Sequence, residues 1–288
     1  MLKQRVITAI VLLAVLLAAL LAPSPLPLVL LLTLIAACAL WEWLRLTWPG
    51  AGQSGPAAVA AVVGVGLMIL ALQWLSTQPP QWTWTALLHA NRWALPVVAA
   101  IWLVGATGMV LRGQAAHRAN GLLLSLFGLA AVVTCWVALV QLYRIHGAWY
   151  LVSLLALIWI ADISAYFVGK ALGRHKLAPR VSPGKTWEGA AGGVVGATVW
   201  VMLTMLWPGS FGAVLAERWA WWGVLLIAVF LAAISIMGDL FESLLKRRAG
   251  VKDSSQLLPG HGGVYDRIDA LLPVAPFAFL LSTGFGSS

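Results

Sequence analysis

The stretch LLPGHGGVYDRIDALLP, residues 257–273, sets His261, Gly262, Gly263, Asp266, Arg267 and Asp269 between apolar flanks. Asp266 and Asp269 stand at i,i+3, and upstream Asp239 and Glu242 repeat that spacing. On a helix such pairs share one face. Lys246, Arg247, Arg248, Lys252 and Asp253 lie between the two pairs. A second polar stretch, SPGKTWEG at 182–189, supplies Ser182, Lys185, Thr186 and Glu188, and Asp162 precedes it. Carboxylate oxygens suit Mg²⁺, which in turn binds substrate phosphates. Lys and Arg neutralise other phosphate oxygens, and glycines let backbone N–H groups come close. Together these residue types point to phosphoryl or nucleotidyl transfer.

Two simpler motifs fail. A P-loop needs Gly where Pro179 stands, and no strand pattern precedes it. His261-Gly262-Gly263 could serve a hydrolase oxyanion hole, but the chain has no G-x-S-x-G nucleophile elbow. His89, His117, His146 and His175 stand singly and read as interfacial polar residues. Cys38 and Cys135 lie in apolar runs with no ligand spacing and read as small buried residues.

The elements that must position these groups are membrane helices. The chain has 288 residues, of which 61% are hydrophobic and 9% charged, and its mean hydropathy is +0.93. Soluble domains carry about a quarter charged residues. A spanning helix needs roughly 20 apolar residues. Segments near 6–22, 26–46, 56–75, 93–111, 121–142, 148–168, 187–207, 219–245 and 268–285 meet that need. The fold class is therefore an all-α polytopic integral membrane protein of about nine transmembrane helices. The apolar start at Val6 reads as an uncleaved first span. With the N-terminus cytoplasmic, every Lys and Arg except Arg92, Arg144 and Arg218 falls inside, and the C-terminus lies outside. The inside set includes Lys3, Arg5 and Arg118. Residues 1–147 read as an N-terminal set of five spans and 148–288 as a catalytic region of four. The polar connections 169–186 and 246–267 then share the cytoplasmic face. The net charge of +9 is explained by this topology rather than by nucleic acid, for which no basic soluble domain exists.

Asp239 and Glu242 fall at the inner end of the eighth span. A carboxylate there is costly unless paired or metal-bound. Glu42 and Asp269 read equally well as structural partners of nearby Arg residues. A transporter would place its acids near the midplane, whereas these gather at one face. The D-G-x-x-A-R motif of CDP-alcohol phosphotransferases is missing. A non-catalytic scaffold would not need so complete a polar set.

From Ser243 to Asp269 the chain reads SLLKRRAGVKDSSQLLPGHGGVYDRID. This resembles the signature of the phosphatidate cytidylyltransferase (CDP-diacylglycerol synthase) family at Ser243, Lys246, Arg247, Lys252, Asp253, Ser255, Pro259, His261, Gly262, Gly263, Asp266, Arg267 and Asp269. Residues 159–189 and GDLFES at 238–243 resemble the family's other polar regions. The resemblance implies transfer of the cytidylyl group of CTP to phosphatidic acid, giving CDP-diacylglycerol and pyrophosphate. It implies Mg²⁺ on Asp239 and Asp266, with room for a second cation. Lys246, Arg247, Lys252 and Arg267 would bind phosphates, and His261 would stand beside the leaving pyrophosphate. Ser182, Lys185 and Thr186 would form a facing wall, Asp162 and Glu188 would orient cations, and Gly262 and Gly263 would admit backbone N–H groups. It further implies a homodimer in a bacterial inner membrane with its active site facing the cytoplasm.

Overall fold

The computed structural model describes residues 2–48, 54–113 and 121–283, with side chains from Val6 onward. His117, Arg118, the side chains of Lys3 and Arg5, and residues 284–285 of the last expected segment lie outside that set. The chain is built of helices α1 (Leu2–Leu21), α2 (Leu26–Thr47), α3 (Ser54–Trp74), α4 (Gln81–Leu111) and α5 (Gly121–Leu172), then a hairpin of β1 (Lys176–Ala178) and β2 (Ser182–Thr186). Helices α6 (Trp187–Thr204), α7 (Phe211–Arg218), α8 (Trp221–Ala249), α9 (Tyr265–Ile268) and α10 (Leu271–Thr283) follow. By length and composition α2, α3, α4, α5 and α8 are each long and apolar enough to cross a membrane.

The described parts of the expected apolar segments are largely helical, five helices being long and apolar enough to cross a membrane, but the boundaries differ for physical reasons. Helix α4 begins at Gln81, well before the expected 93, because interfacial Trp, Gln and Asn residues lower hydropathy without opposing a helix. It widens to π-helical turns at Ala90–Ala94, just before Pro96, and at Ile101–Ala106. Proline has no N–H to give, and such widening accommodates the lost bond. Helix α5 covers two expected segments and breaks at Gly147, whose φ of 84° and ψ of −176° are non-helical. Helix α8 runs past the expected 245 to Ala249, so Lys246, Arg247 and Arg248 form its last turn rather than a loop. Cations are favoured at that end of the helix dipole. The connection expected over 169–186 likewise starts inside α5 and continues as the antiparallel hairpin, in which Lys176 pairs with Thr186 and Ala178 with Ser182.

The second arm of α5 meets α6 along a seam of small residues. A Cβ added at Gly189 would lie 2.9 Å from Ala165 O, at Gly193 2.8 Å from Ala161 O, and at Gly196 2.3 Å from Ser164 Oγ. Glycines four residues apart, Gly189 with Gly193 and Gly192 with Gly196, let two helices approach this closely, as in membrane helix pairs generally. The seam holds Asp162 of α5 beside the hairpin that leads into α6.

An aromatic cluster ties the remaining elements together. Trp43 of α2, fully buried, packs against Tyr265 (ring centroids 5.1 Å apart), Phe241 (5.7 Å), Phe127 (5.7 Å) and Trp102 (6.3 Å). Its indole N–H donates to Leu124 O at 2.9 Å. Three members of this cluster precede an acidic residue directly or follow one: Glu42–Trp43, Phe241–Glu242 and Tyr265–Asp266. Packing of the rings therefore sets the height and direction of three carboxyl groups. Helix α5 can lie this close only because position 128 is glycine, where a Cβ would come 2.2 Å from Trp43 Nε1. Replacing Gly128 with Ala should therefore destabilise the protein by about 1–3 kcal/mol through overpacking, read as a lower thermal unfolding midpoint in detergent.

Candidate active site

The polar segment between α8 and α10 is held from below by one carboxylate. Glu42 of α2, with no exposed surface, accepts hydrogen bonds from Ser255 Oγ (2.5 Å) and Ser254 Oγ (3.0 Å). It also accepts from the backbone N–H groups of Tyr265 (2.6 Å) and Val264 (3.0 Å). Glu42 is thus the partner of hydroxyls and amides, not of an arginine. The two glycines beside it fit the same arrangement. Gly262 has φ +87°, in the left-handed region, and a Cβ at Gly263 would come 2.0 Å from Ser254 Oγ and 2.6 Å from Glu42 Oε2. The close approach that Gly263 permits is to Glu42 and Ser254, and its N–H is given to Asp266 Oδ2 at 2.8 Å. A substrate phosphate, the expected recipient, would have to compete with these partners.

Above this platform stand four carboxyl groups. Asp239, Glu242 and Asp269 each offer an oxygen, and the three lie within 4.8 Å of one another. The i,i+3 step on α8 brings Glu242 beside Asp239. Asp269 joins them because α8 carries glycine at 238, where a Cβ would sit 2.5 Å from Asp269 O. Asp266 stands outside this trio. Its Oδ1 is 2.8 Å from Lys246 Nζ, and its Oδ2 accepts from Gly263 N and, at 3.1 Å, from Ser254 N. Lys246 reaches Glu242 Oε2 as well, at 2.7 Å, so one ammonium bridges the two acids. The expected pair Asp239 and Asp266 is therefore linked through Glu242 and Lys246. Burial alone would raise the pKa of Asp266. The adjoining Glu242 carboxyl, the Lys246 ammonium and the Gly263 N–H outweigh it and hold the group well below the usual carboxylate range.

Lys185, at the end of the hairpin, forms an ion pair with Asp239. Together with Asp162, Thr186, Tyr166 and Lys170 they line a cavity of about 390 Å³. Thr186 also caps α6, its Oγ1 accepting from Gly189 N at 3.1 Å. Ser182 starts β2, pairs with Ala178 and does not line this cavity. Glu188 turns away from the acids. It is bonded to His175 Nδ1 at 2.6 Å and to the N–H groups of Arg174 and His175, where it steadies the entry to the hairpin. Arg247 Nε reaches Val181 O at 3.4 Å and fastens α8 to the hairpin.

Lys252 lies in a second cleft of about 660 Å³, with Arg45, Trp41 and Asp253. The Arg45 guanidinium sits 4.7 Å above the Trp41 ring. Ser254 and Ser255 line this cleft too, so the segment pinned by Glu42 is the wall between it and Asp266. Arg267 donates to the carbonyl of His261 at 2.8 Å, while His261 Nδ1 is buried without a partner among the described residues. Trp41 and Arg45 were not among the expected site residues, and Glu242, Asp269 and Glu42 were candidate carboxylates without an assigned role, of which Glu242 and Asp269 gain one from the repeated i,i+3 spacing. Nothing in the sequence links Glu42, Trp41 or Arg45 to a segment more than two hundred residues away.

The arrangement offers oxygen ligands for a hard cation, cations for anionic oxygens, and clefts on two sides of one wall. Comparison with known proteins accords with it. Residues 3–285 match the model of the cytidylyltransferase family. The chain is 40% identical over its full length to a phosphatidate cytidylyltransferase of Pseudomonas aeruginosa, all of which is covered. It is 37% identical to one from Haemophilus influenzae, covering 96% of this chain and 97% of that one. A Bacillus subtilis phosphatidate cytidylyltransferase is 32% identical, covering 97% of each. The chain belongs to the cytidylyltransferase family.

The Glu42 contacts lead to a sharp expectation. Each of its oxygens faces one backbone N–H, so the NH₂ of a glutamine would oppose a donor whichever way the amide turned. Glu42→Gln should cost about 1–3 kcal/mol, the penalty of an unsatisfied buried donor, and Glu42→Ala more. The thermal midpoint in detergent, with proteolysis between residues 250 and 265, would check this.

Proposed function

We propose that the chain transfers the cytidylyl group of CTP to phosphatidic acid, releasing pyrophosphate and forming CDP-diacylglycerol. The observation that carries this reading is the meeting of the acid trio with Lys185 and Lys246 in a chain that matches the family over nearly its whole length. A phosphate oxygen of the lipid attacks the α-phosphorus of CTP. The new P–O bond forms as the bond to the β-phosphate bridging oxygen breaks, and that oxygen leaves with pyrophosphate. A phosphate monoester is mostly doubly ionised near neutral pH, with its second pKa near 6, so the attack needs no dedicated base. Positioning and charge neutralisation carry the rate.

Asp239, Glu242 and Asp269, with Asp266 beside them, are the residues that would hold Mg²⁺. The donor set fits: all are hard oxygens, and Glu242 Oε1 is buried with no hydrogen-bond partner among the described residues. When bound, the ion would neutralise phosphate oxygens of the nucleotide, and four carboxyl groups leave ligands for a second cation. Lys185 and Lys246 neutralise charge from either side of the acids, Lys252 and Arg45 draw the nucleotide into the cleft behind the wall, and Arg267 takes the lipid phosphate. His261 stands where the loop turns back and holds Arg267 through its carbonyl.

This reading puts the site at the cytoplasmic face of a bacterial inner membrane, in a chain of nine passes with its N-terminus inside. The support is the one-sided distribution of Lys and Arg. In a background with Cys38 and Cys135 replaced by Ala, a cysteine at Glu217 should react with an impermeant maleimide in intact cells. One at Lys176 should react only after permeabilisation. The reverse pattern would overturn the topology.

Purified protein should consume CTP, in preference to other nucleoside triphosphates, only with phosphatidic acid and Mg²⁺ present. Asp239→Asn should leave the thermal midpoint near wild type yet lower turnover on the order of a hundredfold or more. Asp266→Asn should lower turnover as much while also costing about 1–3 kcal/mol of stability, because its amide would oppose a donor whichever way it turned. Lys252→Gln should raise the KM for CTP with little effect on kcat. Unchanged kinetics in these variants would remove the roles assigned.

A further inference from the structure

A third cavity, about 150 Å³, differs from the two polar clefts in kind. It lies among membrane helices, walled by Leu16 of α1, Ile35 of α2, Leu139 and Leu155 from the two arms of α5, and Leu271 of α10. Among the described residues, Arg267 is the one charged residue on its lining. Such walls offer nothing to a nucleotide. They match a hydrocarbon chain, and the cation at the lining calls for an anionic group on the same molecule.

The position of Arg267 sets the direction. It directly follows Asp266, which stands beside the acid trio, and it is exposed. Its hydrogen bond to His261 O uses one of the five N–H groups that a guanidinium carries. The fork can therefore take a phosphate on the side facing the acids while the groove runs away from them along α2 and α5. Helix α1 forms the outer wall, tied to the signature segment by Thr8 Oγ1 donating to Pro259 O at 3.0 Å.

We propose that this groove holds an acyl chain of the phosphatidic acid substrate, with the lipid phosphate on Arg267. This rests on the proposed function and assigns its lipid half to a particular place. It also divides the basic residues: Arg267 serves the lipid, and Lys252 with Arg45 serves the nucleotide.

The test narrows the groove without touching the polar site. In Ala36→Phe and Leu155→Trp, turnover of dipalmitoyl phosphatidic acid should fall roughly tenfold or more, the scale on which an apolar pocket discriminates length and bulk. Turnover of dihexanoyl phosphatidic acid, whose chains end short of the obstruction, should stay within about twofold on the same scale. Equal effects on both lipids in variants with wild-type thermal midpoints, or no effect on either, would overturn the assignment. A second measurement needs neither variant nor turnover. Phosphatidic acid with a diazirine at the end of one chain, photolysed with the wild-type protein in nanodiscs, should label peptides containing Leu16, Leu139 or Leu155. Labelling elsewhere, or labelling that excess unlabelled phosphatidic acid does not displace, would overturn the proposal. Wild-type protein inert toward CTP and phosphatidic acid would sink the proposed reaction, and the photolabelling would still decide the groove.

Discussion

A single buried carboxylate organises the polar end of this protein. Glu42 comes from the second helix, yet all four of its donors belong to the segment between α8 and α10. A charge so enclosed is tolerated only when its oxygens are fully engaged. The loop in turn could not hold its course without an acceptor for its buried N–H groups. Each satisfies the other, and the wall between the nucleotide-sized cleft and the acids results. Gly262 and Gly263 follow from that contact: one adopts a left-handed turn, and the other leaves room for the Glu42 oxygens. The aromatic cluster under Glu42, Glu242 and Asp266 makes the arrangement stiff by filling the space below with rings.

The acids above the wall would repel one another strongly in a low-dielectric setting. Two lysines offset this from opposite sides. Lys185 arrives from the hairpin and Lys246 from the last turns of α8, so separate elements must come together before the charges balance. A divalent ion would add the remaining compensation. The same lysines are then available to anionic oxygens of a substrate, which connects the stability of the arrangement to the chemistry proposed for it.

Much of this was legible in the sequence, and the limits have identifiable causes. Hydropathy located every long helix, because an apolar run in lipid has few alternatives. It misjudged the start of α4 and the end of α8, where polar residues continue a helix beyond the apolar stretch. The signature located the polar loop between α8 and α10 by its resemblance to a family. The i,i+3 pairs marked both acid faces but not how they combine. Asp269 joins Asp239 and Glu242 only because Gly238 lets α10 begin close by, and that is a packing fact rather than a spacing one. Glu188 and Ser182 looked like site residues because they flank Lys185 in the chain. Ser182, however, pairs back with Ala178 at the other end of the strand, and Glu188, already in α6, is taken by His175 and Arg174. Glu42 and Arg45 had no local pattern at all, since their partners are distant in the chain.

The glycine seam between α5 and α6 has a mechanical meaning. Two helices locked backbone to backbone have little freedom to slide or part. Asp162 and the base of the hairpin on that side form an unyielding jaw. An enzyme that must admit a bulky amphiphile and expel a larger one needs some part to give way, and this jaw is not built to be that part. Helix α1, which borders the apolar groove through Leu16, contains no glycine and so is fastened to its neighbours by side chains rather than by such a seam.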